Sequence, residues 1–356
     1  MDNLKDSCRA YGFPYGVVSY LSVDVGKSAD RLSDDLLIGG AAMQYRALGT
    51  TGLTVSEIGM GTWELGGREW GDIDEAIAIR LLQYAYEQGV TLYDTADQYG
   101  GGRSERLLGQ AFANMQDAVV IATKVGYEID SDGWVSQGWE QRPSYNASSD
   151  YIRTSVEGSL QRLGRETIDT YQFHAPPPPE QWAEAFETME QLKAEGKIRF
   201  YGMALGSEEQ ALKAIAETGI STMMLTYNIL NQSMAETVLP TAQSKGVGVI
   251  VRQPLASGLL SGQLTPDTKF ADNDHRKLWS SEQLRNDLQQ VETVKEVVGN
   301  ATDTLPQAAL KFILAHPAVS AVVPGMMTTA QVDDGVATAN LPALPSHILQ
   351  RLRNEF

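Results

Sequence analysis

Basic residues are scarce in this sequence. Its 356 residues include 28 Lys and Arg against 45 Asp and Glu, which gives a formal net charge of −17. No run of Lys or Arg offsets this balance, so nucleic-acid phosphates and anionic membrane surfaces would repel the chain. We therefore expect neither a nucleic acid nor a membrane as a partner.

Cysteine and long hydrophobic runs are also scarce. Cys8 is the only cysteine, so an internal disulfide is impossible, and the Cys and His partners that a structural zinc ion needs are missing. No apolar stretch reaches the length of about 18 residues that a membrane helix requires, and the N-terminus does not have the order of a secretory signal. These absences favour a cytoplasmic protein without a metal site.

What the sequence does contain is an ordinary globular composition, with 42% hydrophobic residues and 33 glycines. This is enough apolar material for a large core. Residues 1–42 show no sustained periodicity, and we expect them to form a loosely ordered N-terminal extension. Residues 43–356 are regularly patterned and are predicted to form a single domain.

That regular pattern alternates short β-rich runs with helical segments, which is typical of βα units. Eight runs are predicted as strands, at residues 57–60, 91–93, 119–123, 170–173, 198–203, 223–227, 247–251 and 319–323. Eight units fit a closed (β/α)8 TIM barrel, for which about 250 residues is typical. A β-hairpin at 45–55 would plug its N-terminal end. A doubly wound sheet is disfavoured because no G-x-G-x-x-G follows the first strand.

Titratable side chains stand at the ends of three consecutive predicted strands. Asp94 ends the second strand, Lys124 the third and His174 the fourth, and Tyr99 lies in the loop after Asp94. Each residue alone has an ordinary structural explanation, such as capping a turn, reaching solvent or packing. In a barrel, however, reacting residues project from the C-terminal ends of the strands. Long insertions at 126–149 and 257–280 also leave this face.

Together these four side chains form a set that can transfer a proton. Tyrosine has an ordinary pKa of about 10, and it becomes an acid near neutral pH only where a neighbouring ammonium lowers that pKa. Lys124 could supply the ammonium, and Asp94 could keep a buried lysine protonated. His174 could orient a carbonyl group. The set has no nucleophile or electron sink, so a bound cofactor would have to perform the hard chemistry.

Longer motifs around these residues resemble the signature of the aldo-keto reductase superfamily. They are YDTADQYG at 93–100, GRSERLLG at 102–109, ATK at 122–124, QFH at 172–174, GMGTW at 59–63, EGKIR at 195–199 and PLASGLL at 254–260. The resemblance covers about residues 45–356 and implies a (β/α)8 barrel that reduces a carbonyl compound with NADPH. It implies that Tyr99 is the general acid, that Lys124 and Asp94 tune it, and that His174 positions the substrate oxygen.

The resemblance also implies where the cofactor and the substrate bind. The loop at 253–258 would fold over the pyrophosphate and bind it through backbone N–H groups, which small residues permit. The expected cofactor contacts are Gly61, Thr62, Ala204, Leu205, Met224, Arg252, Gln253, Leu255, Ser257, Gly258, Gly325 and Gln331, and the expected substrate contacts are Trp63 and Trp134.

Several of these positions depart from the family pattern. The family holds the nicotinamide amide with Ser-Asn after the fifth strand and Gln on the sixth, where this chain has Ala204, Leu205 and Met224. These side chains form no side-chain hydrogen bond, so up to three contacts worth about 1 kcal/mol each are lost. Arg252 replaces the stacking aromatic residue. Its flat guanidinium could stack there and favour the neutral reduced ring, or it could pair with an acid.

The residues expected at the adenosine end of the cofactor depart from the family pattern as well. The family's NADPH users commonly place Lys or Arg after the eighth strand, whereas residues 324–334 contain neither. Asp333 and Asp334 would repel a 2′-phosphate there, and the N–H groups at the start of a helix would offset this only weakly. We expect NADP(H) as the cofactor, with NAD(H) as the alternative.

The function that these features favour is NAD(P)H-dependent reduction of an aldehyde or ketone. The altered nicotinamide positions keep two alternatives open: redox-neutral proton transfer, such as dehydration or isomerisation, and nucleotide binding without turnover. Trp63 and the tryptophans of the insertions indicate an apolar or ring-shaped small carbonyl compound as the substrate. Nothing in the sequence indicates the oligomeric state.

Overall fold

The computed structural model describes residues 43–67, 70, 73–128, 144–272 and 274–356. The predicted N-terminal extension, residues 1–42, lies outside these ranges. Within them the chain forms an eight-stranded parallel sheet, a small antiparallel hairpin and the helices that surround the sheet.

The eight parallel strands neighbour one another in chain order. They are β3 (Met60–Gly61), β4 (Leu92–Asp94), β5 (Val120–Val125), β6 (Ile168–Phe173), β7 (Ile198–Leu205), β8 (Thr222–Thr226), β9 (Gly248–Arg252) and β10 (Val319–Val322). The first and last strands meet through Gly59, whose N–H donates to the Val322 carbonyl at 2.8 Å, and through a bridge between Gly61 and Gly325. This closes the barrel, so the predicted (β/α)8 fold is confirmed.

The helices pack outside the strands with their apolar faces inward. They are α1 (Glu75–Glu87), α2 (Arg103–Ala111), α3 (Ser149–Leu163), α4 (Trp182–Ala194), α5 (Glu208–Glu217), α6 (Val238–Ser244), α7 (Ser281–Val298), α8 (Leu305–Leu314), α9 (Thr329–Asn340) and α10 (Ser346–Glu355). Several begin at a Ser, Thr or Asp side chain that accepts a hydrogen bond from the N–H three residues on, as at Asp74, Ser148, Ser280 and Thr304. Such caps satisfy N–H groups that have no partner inside the helix. None of the described helices is long and apolar enough to cross a bilayer.

The hairpin closes the N-terminal end of the barrel, as the sequence predicts. It consists of β1 (Tyr45–Ala47) and β2 (Thr54–Ser56). Leu48 at its turn is fully buried and packs with Ile250 and other inward-facing side chains of the strands. Its side chain also fits against Gly248, where a Cβ would come within 2.8 Å of it. The hairpin therefore fills the N-terminal end of the barrel interior, and the open end is the C-terminal face.

Leu48→Ala should measurably destabilise the protein because it leaves a cavity beneath the barrel. We expect a loss of about 2–5 kcal/mol in the free energy of unfolding, measured by urea denaturation. Leu278→Ala removes the same atoms from a side chain that is 59% exposed, and it should change stability by less than about 0.5 kcal/mol. Equal losses in the two variants would show that the hairpin does not plug the barrel.

Candidate active site

The strand ends bring together the proton-transfer residues expected from the sequence. Asp94 is the last residue of β4, Lys124 lies near the end of β5, and His174 follows β6. Lys124 Nζ donates hydrogen bonds to Asp94 Oδ1 at 2.6 Å, to the Thr95 carbonyl at 2.7 Å and to Tyr99 Oη at 3.2 Å. One ammonium group therefore contacts both the carboxylate and the phenol.

The ion pair between Lys124 and Asp94 is almost completely buried, with side-chain exposures of 1% and 6%. Burial lowers the pKa of Lys124 below its ordinary value and raises that of Asp94, while the attraction between them opposes both shifts. Desolvation disfavours the charged form of both groups, so the pair has to offset a desolvation cost on each side by the attraction between its charges. Its value to the protein is the charge that it holds beside Tyr99.

His174 completes the set from the other side of Tyr99. The two ring centroids lie 5.7 Å apart at 77°, and the ring of Tyr127 lies 5.4 Å from that of His174. Burial, together with the charges of Lys124 and Arg252, lowers the pKa of His174 well below 6.5. The imidazole is therefore neutral at pH 7, where one of its nitrogens is a donor and the other an acceptor.

A short 3-10 turn, Glu64–Gly66, holds Trp63 beside Tyr99. Its backbone packs directly on the backbone after Tyr99, because a Cβ on Gly66 would come within 2.9 Å of the Gly100 nitrogen. Gly100 has a φ of 60°, which glycine adopts without strain. This close approach places the Trp63 ring 6.0 Å from the Tyr99 ring in a stacked orientation.

The segment after β9 closes one side of the site. The His275 ring lies 5.1 Å from the Trp63 ring and 4.6 Å from the Trp70 ring. Arg276 lies 4.6 Å above the Trp70 ring and donates to both carboxylate oxygens of Asp274, at 3.0 and 2.7 Å. Within the described ranges, no three acidic, His or Cys side chains are grouped so that they could hold a metal ion.

These groups surround an open cavity of about 920 Å³ at the C-terminal face. The loop after β9 forms one wall and has an unusual backbone, with positive φ at Gln253 (52°), Ala256 (48°), Ser257 (54°) and Gly258 (94°). Strained residues of this kind cluster at ligand sites, and N–H groups in such turns form concavities that bind anions. The loop is therefore suited to hold a phosphate group.

Most of the residues expected from the sequence at the cofactor and substrate line this cavity. They are Gly61, Trp63, Ala204, Met224, Arg252, Gln253, Leu255, Ser257, Gly258, Gly325 and Gln331. Thr62 and Leu205 do not line it. Thr62 is buried with its hydroxyl bound to the Asp94 carbonyl at 2.8 Å, and Leu205 packs outside the barrel because neighbouring residues of a strand point to opposite faces. Trp134 lies outside the described residues.

Three of the positions that depart from the family pattern, Ala204, Met224 and Arg252, line the cavity. Ala204 and Met224 face the cavity without a side-chain hydrogen-bonding group. Arg252 Nε is buried and has no hydrogen-bond partner in the described part of the chain. The alternative in which Arg252 pairs with an acid finds no support among these residues. Its guanidinium is therefore available to a ligand.

The two aspartates expected to repel a 2′-phosphate have other partners. Asp333 accepts a hydrogen bond from the Tyr84 hydroxyl at 2.6 Å, and Asp334 accepts one from the Gln307 amide at 2.7 Å. Neither of them lines the cavity, whereas Glu64 does. The acid that a ligand would meet is therefore not the one that the sequence suggests.

Sequence reasoning missed several polar groups of the cavity, namely Glu64, Gln98, Gln210 and Arg276. For Arg276 a signal exists, because the insertion at 257–280 is expected at this face. Glu64 directly follows the predicted contact Trp63, yet no motif singles it out. Its place in the cavity depends on the packing of a turn against Gly100.

Comparison with known proteins gives a consistent result. The model of the Aldo/keto reductase family matches residues 57–354. An Escherichia coli K12 protein named NADH-specific methylglyoxal reductase is 33% identical over 307 residues, which cover 84% of this chain and 94% of that protein. The holo form of an aldo-keto reductase from Bacillus halodurans is 31% identical, with a TM-score of 0.73 over 88% of this chain and 96% of its own. A glycerol dehydrogenase from Gluconobacter oxydans, 24% identical over 87% of this chain and 94% of its own, shares the fold with a TM-score of 0.75.

Asp94→Asn should destabilise the protein because it leaves the Lys124 ammonium buried without a counter-charge. We expect the free energy of unfolding at pH 7 to fall by about 3–5 kcal/mol, measured by urea denaturation. Without the aspartate, the pKa of Lys124 should fall further below 10.5. The unfolded chain then binds more protons than the folded one. The loss in the free energy of unfolding should therefore become smaller as the pH rises toward 10.5, the ordinary pKa of lysine.

The control for this prediction is Asp272→Asn, because that carboxylate pairs with Lys277 on the exposed surface. It should leave stability nearly unchanged. If the loss in Asp94→Asn were the same at pH 7 and at pH 9.5, the charge of Lys124 would not be its cause.

Proposed function

The chain belongs to the aldo/keto reductase family and is thus an oxidoreductase, and from this premise we propose that it reduces an aldehyde or ketone to an alcohol with NADPH or NADH. The observation that carries the proposal is the shared contact of Lys124 Nζ with Asp94 and Tyr99 at the cavity. Its reaction class would be that of the NADP-dependent alcohol dehydrogenases and carbonyl reductases.

In this proposal Tyr99 is the general acid. Its hydroxyl gives a proton to the substrate oxygen, which becomes the alcohol, and the phenolate that remains is stabilised by the Lys124 ammonium at 3.2 Å. An opposite charge at this distance favours the ionised form of the phenol. Asp94 keeps Lys124 protonated in its buried position. The three residues therefore act as one unit, in which the buried ion pair makes the tyrosine a stronger acid.

His174 is proposed to hold the substrate oxygen in place. A neutral imidazole donates a hydrogen bond to a carbonyl oxygen without placing a second cation beside Lys124. The depressed pKa of His174 supports this role, since the ring stays neutral throughout the physiological range. Trp63, stacked on Tyr99, would provide an apolar wall for the substrate. Trp134 stays a predicted substrate contact.

The residues of the cavity fit a nicotinamide dinucleotide. The strained loop at 253–258 would hold the pyrophosphate, and Arg252 offers a planar cation whose buried Nε has no hydrogen-bond partner among the described residues. When bound, the dinucleotide supplies the hydride for the carbonyl carbon. We propose NADP(H) on the family pattern. NAD(H) is the alternative, because the Escherichia coli relative is named NADH-specific and residues 324–334 contain no base.

The aromatic wall of the site supports an apolar or ring-shaped carbonyl substrate. Trp63, Tyr99 and Tyr127 line the cavity together with Trp70. The name of the Escherichia coli relative makes methylglyoxal, a small ketoaldehyde, the first compound to assay. The substrate panel should therefore run from methylglyoxal to aromatic aldehydes and sugars.

The experiment that tests the proposed function is a titration with NADPH and NADH followed by nicotinamide fluorescence. Addition of each carbonyl compound to the same cuvette should then cause a loss of absorbance from the reduced cofactor. Binding with turnover supports the proposal. Binding without turnover across the panel would favour a regulatory nucleotide-binding protein, and the absence of any binding would favour redox-neutral chemistry.

Tyr99→Phe should abolish turnover and leave cofactor binding nearly unchanged. The variant keeps the ring that packs on Trp63 but lacks the proton, so kcat should fall by about 10²–10⁴-fold or more while the Kd of the dinucleotide stays within about twofold. Tyr84→Phe removes the hydroxyl of a tyrosine that does not line the cavity and serves as the matched control. Retained activity in Tyr99→Phe would exclude this residue as the acid.

Arg252→Tyr should change the preference between the reduced and the oxidised cofactor. We propose that the Arg252 cation disfavours the positively charged oxidised ring, so its removal should lower the ratio of the oxidised to the reduced Kd by roughly fivefold, or about 1 kcal/mol. Arg252→Lys keeps the charge and should keep most of the ratio. Both constants come from fluorescence and calorimetric titrations, and an unchanged ratio in Arg252→Tyr would refute the idea.

A further inference from the structure

Glu64 fills the space that a side chain at position 325, after the eighth barrel strand, would occupy. It lies in the turn after β3 and lines the cavity. Its carboxylate packs on Gly325, three residues after the end of β10, so closely that a Cβ on Gly325 would overlap it. A base at position 325 and the carboxylate in its present position therefore exclude each other. The family's NADPH users commonly carry that base in the segment after this strand, whereas this chain presents an acid.

The charge of Glu64 is not neutralised by an ion pair in the described part of the chain. Asp94, another acid that lines the cavity, is paired with Lys124 at 2.6 Å. Arg276 acts on Glu64 through its charge, but its guanidinium is bound to Asp274 at 2.7 Å. A ligand that places negative charge near Gly325 would therefore meet a carboxylate that no ion pair in the described part of the chain neutralises.

We propose that Glu64 is a determinant of cofactor choice, and that its carboxylate disfavours the 2′-phosphate of NADPH relative to NADH. The inference rests on the proposed function, because it requires that a nicotinamide dinucleotide binds in this cavity. The pyrophosphate is common to both cofactors, so its repulsion by Glu64 cancels when the two are compared. The additional phosphate of NADPH adds repulsion that NADH does not experience.

The ionisation of Glu64 makes this selection dependent on pH. Burial raises the pKa of Glu64 to about 7, and the negative charge of Asp94 on β4 adds to the rise, while a hydrogen bond from the backbone N–H of Glu64 itself and the positive charge of Arg276 oppose it. The carboxyl group is therefore mostly neutral at pH 6 and mostly charged at pH 8. The repulsion should be present above pH 7 and should be lost as the pH falls below it.

The test compares the Kd values of NADPH and NADH for the wild type and for Glu64→Gln, by fluorescence titration at pH 6 and at pH 8. At pH 8 the substitution should lower the ratio of the NADPH to the NADH Kd by roughly fivefold, the effect of one like charge near the ligand in a partly hydrated site. At pH 6 it should change the ratio by less than about twofold. The 2′-phosphate itself titrates near pH 6, but it does so in both proteins, so the comparison removes its contribution.

Asp333→Asn is the matched control, because it removes one negative charge from the segment after β10 at a side chain that is bound to Tyr84 and does not line the cavity. It should leave the ratio unchanged. An equal effect in both variants, or an unchanged ratio in Glu64→Gln at pH 8, would overturn the proposal. If neither dinucleotide bound the wild type, the proposed function would be refuted together with this proposal. Thermal unfolding checks that both variants are folded.

Discussion

The buried ion pair between Lys124 and Asp94 is the interaction on which the site depends. Two charges in a nearly dry position cost desolvation energy on both sides, and they persist only because each satisfies the other at 2.6 Å. That contact requires the ends of β4 and β5 to stand side by side, which the parallel register of Asp94 on Ala122 provides. The barrel thus supplies the geometry, and the ion pair uses it to hold a cation against Tyr99.

Glycine determines what surrounds that pair. Gly66 and Gly100 let two loops touch backbone to backbone, and this contact brings Trp63 and Glu64 to the rim of the cavity. The same turn fills the space above Gly325, so the chain has a carboxylate where a longer side chain at that position would project. The aromatic wall of the cavity and the acid at its rim are therefore two consequences of one close approach.

The barrel and the convergence of Asp94, Lys124 and His174 could be predicted because both follow from local patterns. A β-rich run followed by a helical period identifies a strand, and residues at its C-terminal end lie at the open face of the barrel, which is how Asp94, Lys124 and His174 come together. The hydrogen-bond partners of Asp333 and Asp334 could not be predicted. Asp333 accepts a hydrogen bond from Tyr84, which is 249 residues away in the chain, and no local sequence pattern predicts such a contact.

This arrangement limits what the net negative charge of the chain can do to a bound ligand. At physiological ionic strength, charges separated by more than about 8 Å are largely screened, so a net charge of −17 acts mainly on the rate at which an anionic ligand arrives. Affinity is decided by groups that the ligand touches. In the cavity these include Arg252, whose buried Nε has no hydrogen-bond partner among the described residues, and Glu64, whose carboxylate packs on Gly325 without an ion pair in that part of the chain. The sign of the charge at each of these positions, rather than the overall balance, therefore governs the affinity of the cavity for an anionic ligand.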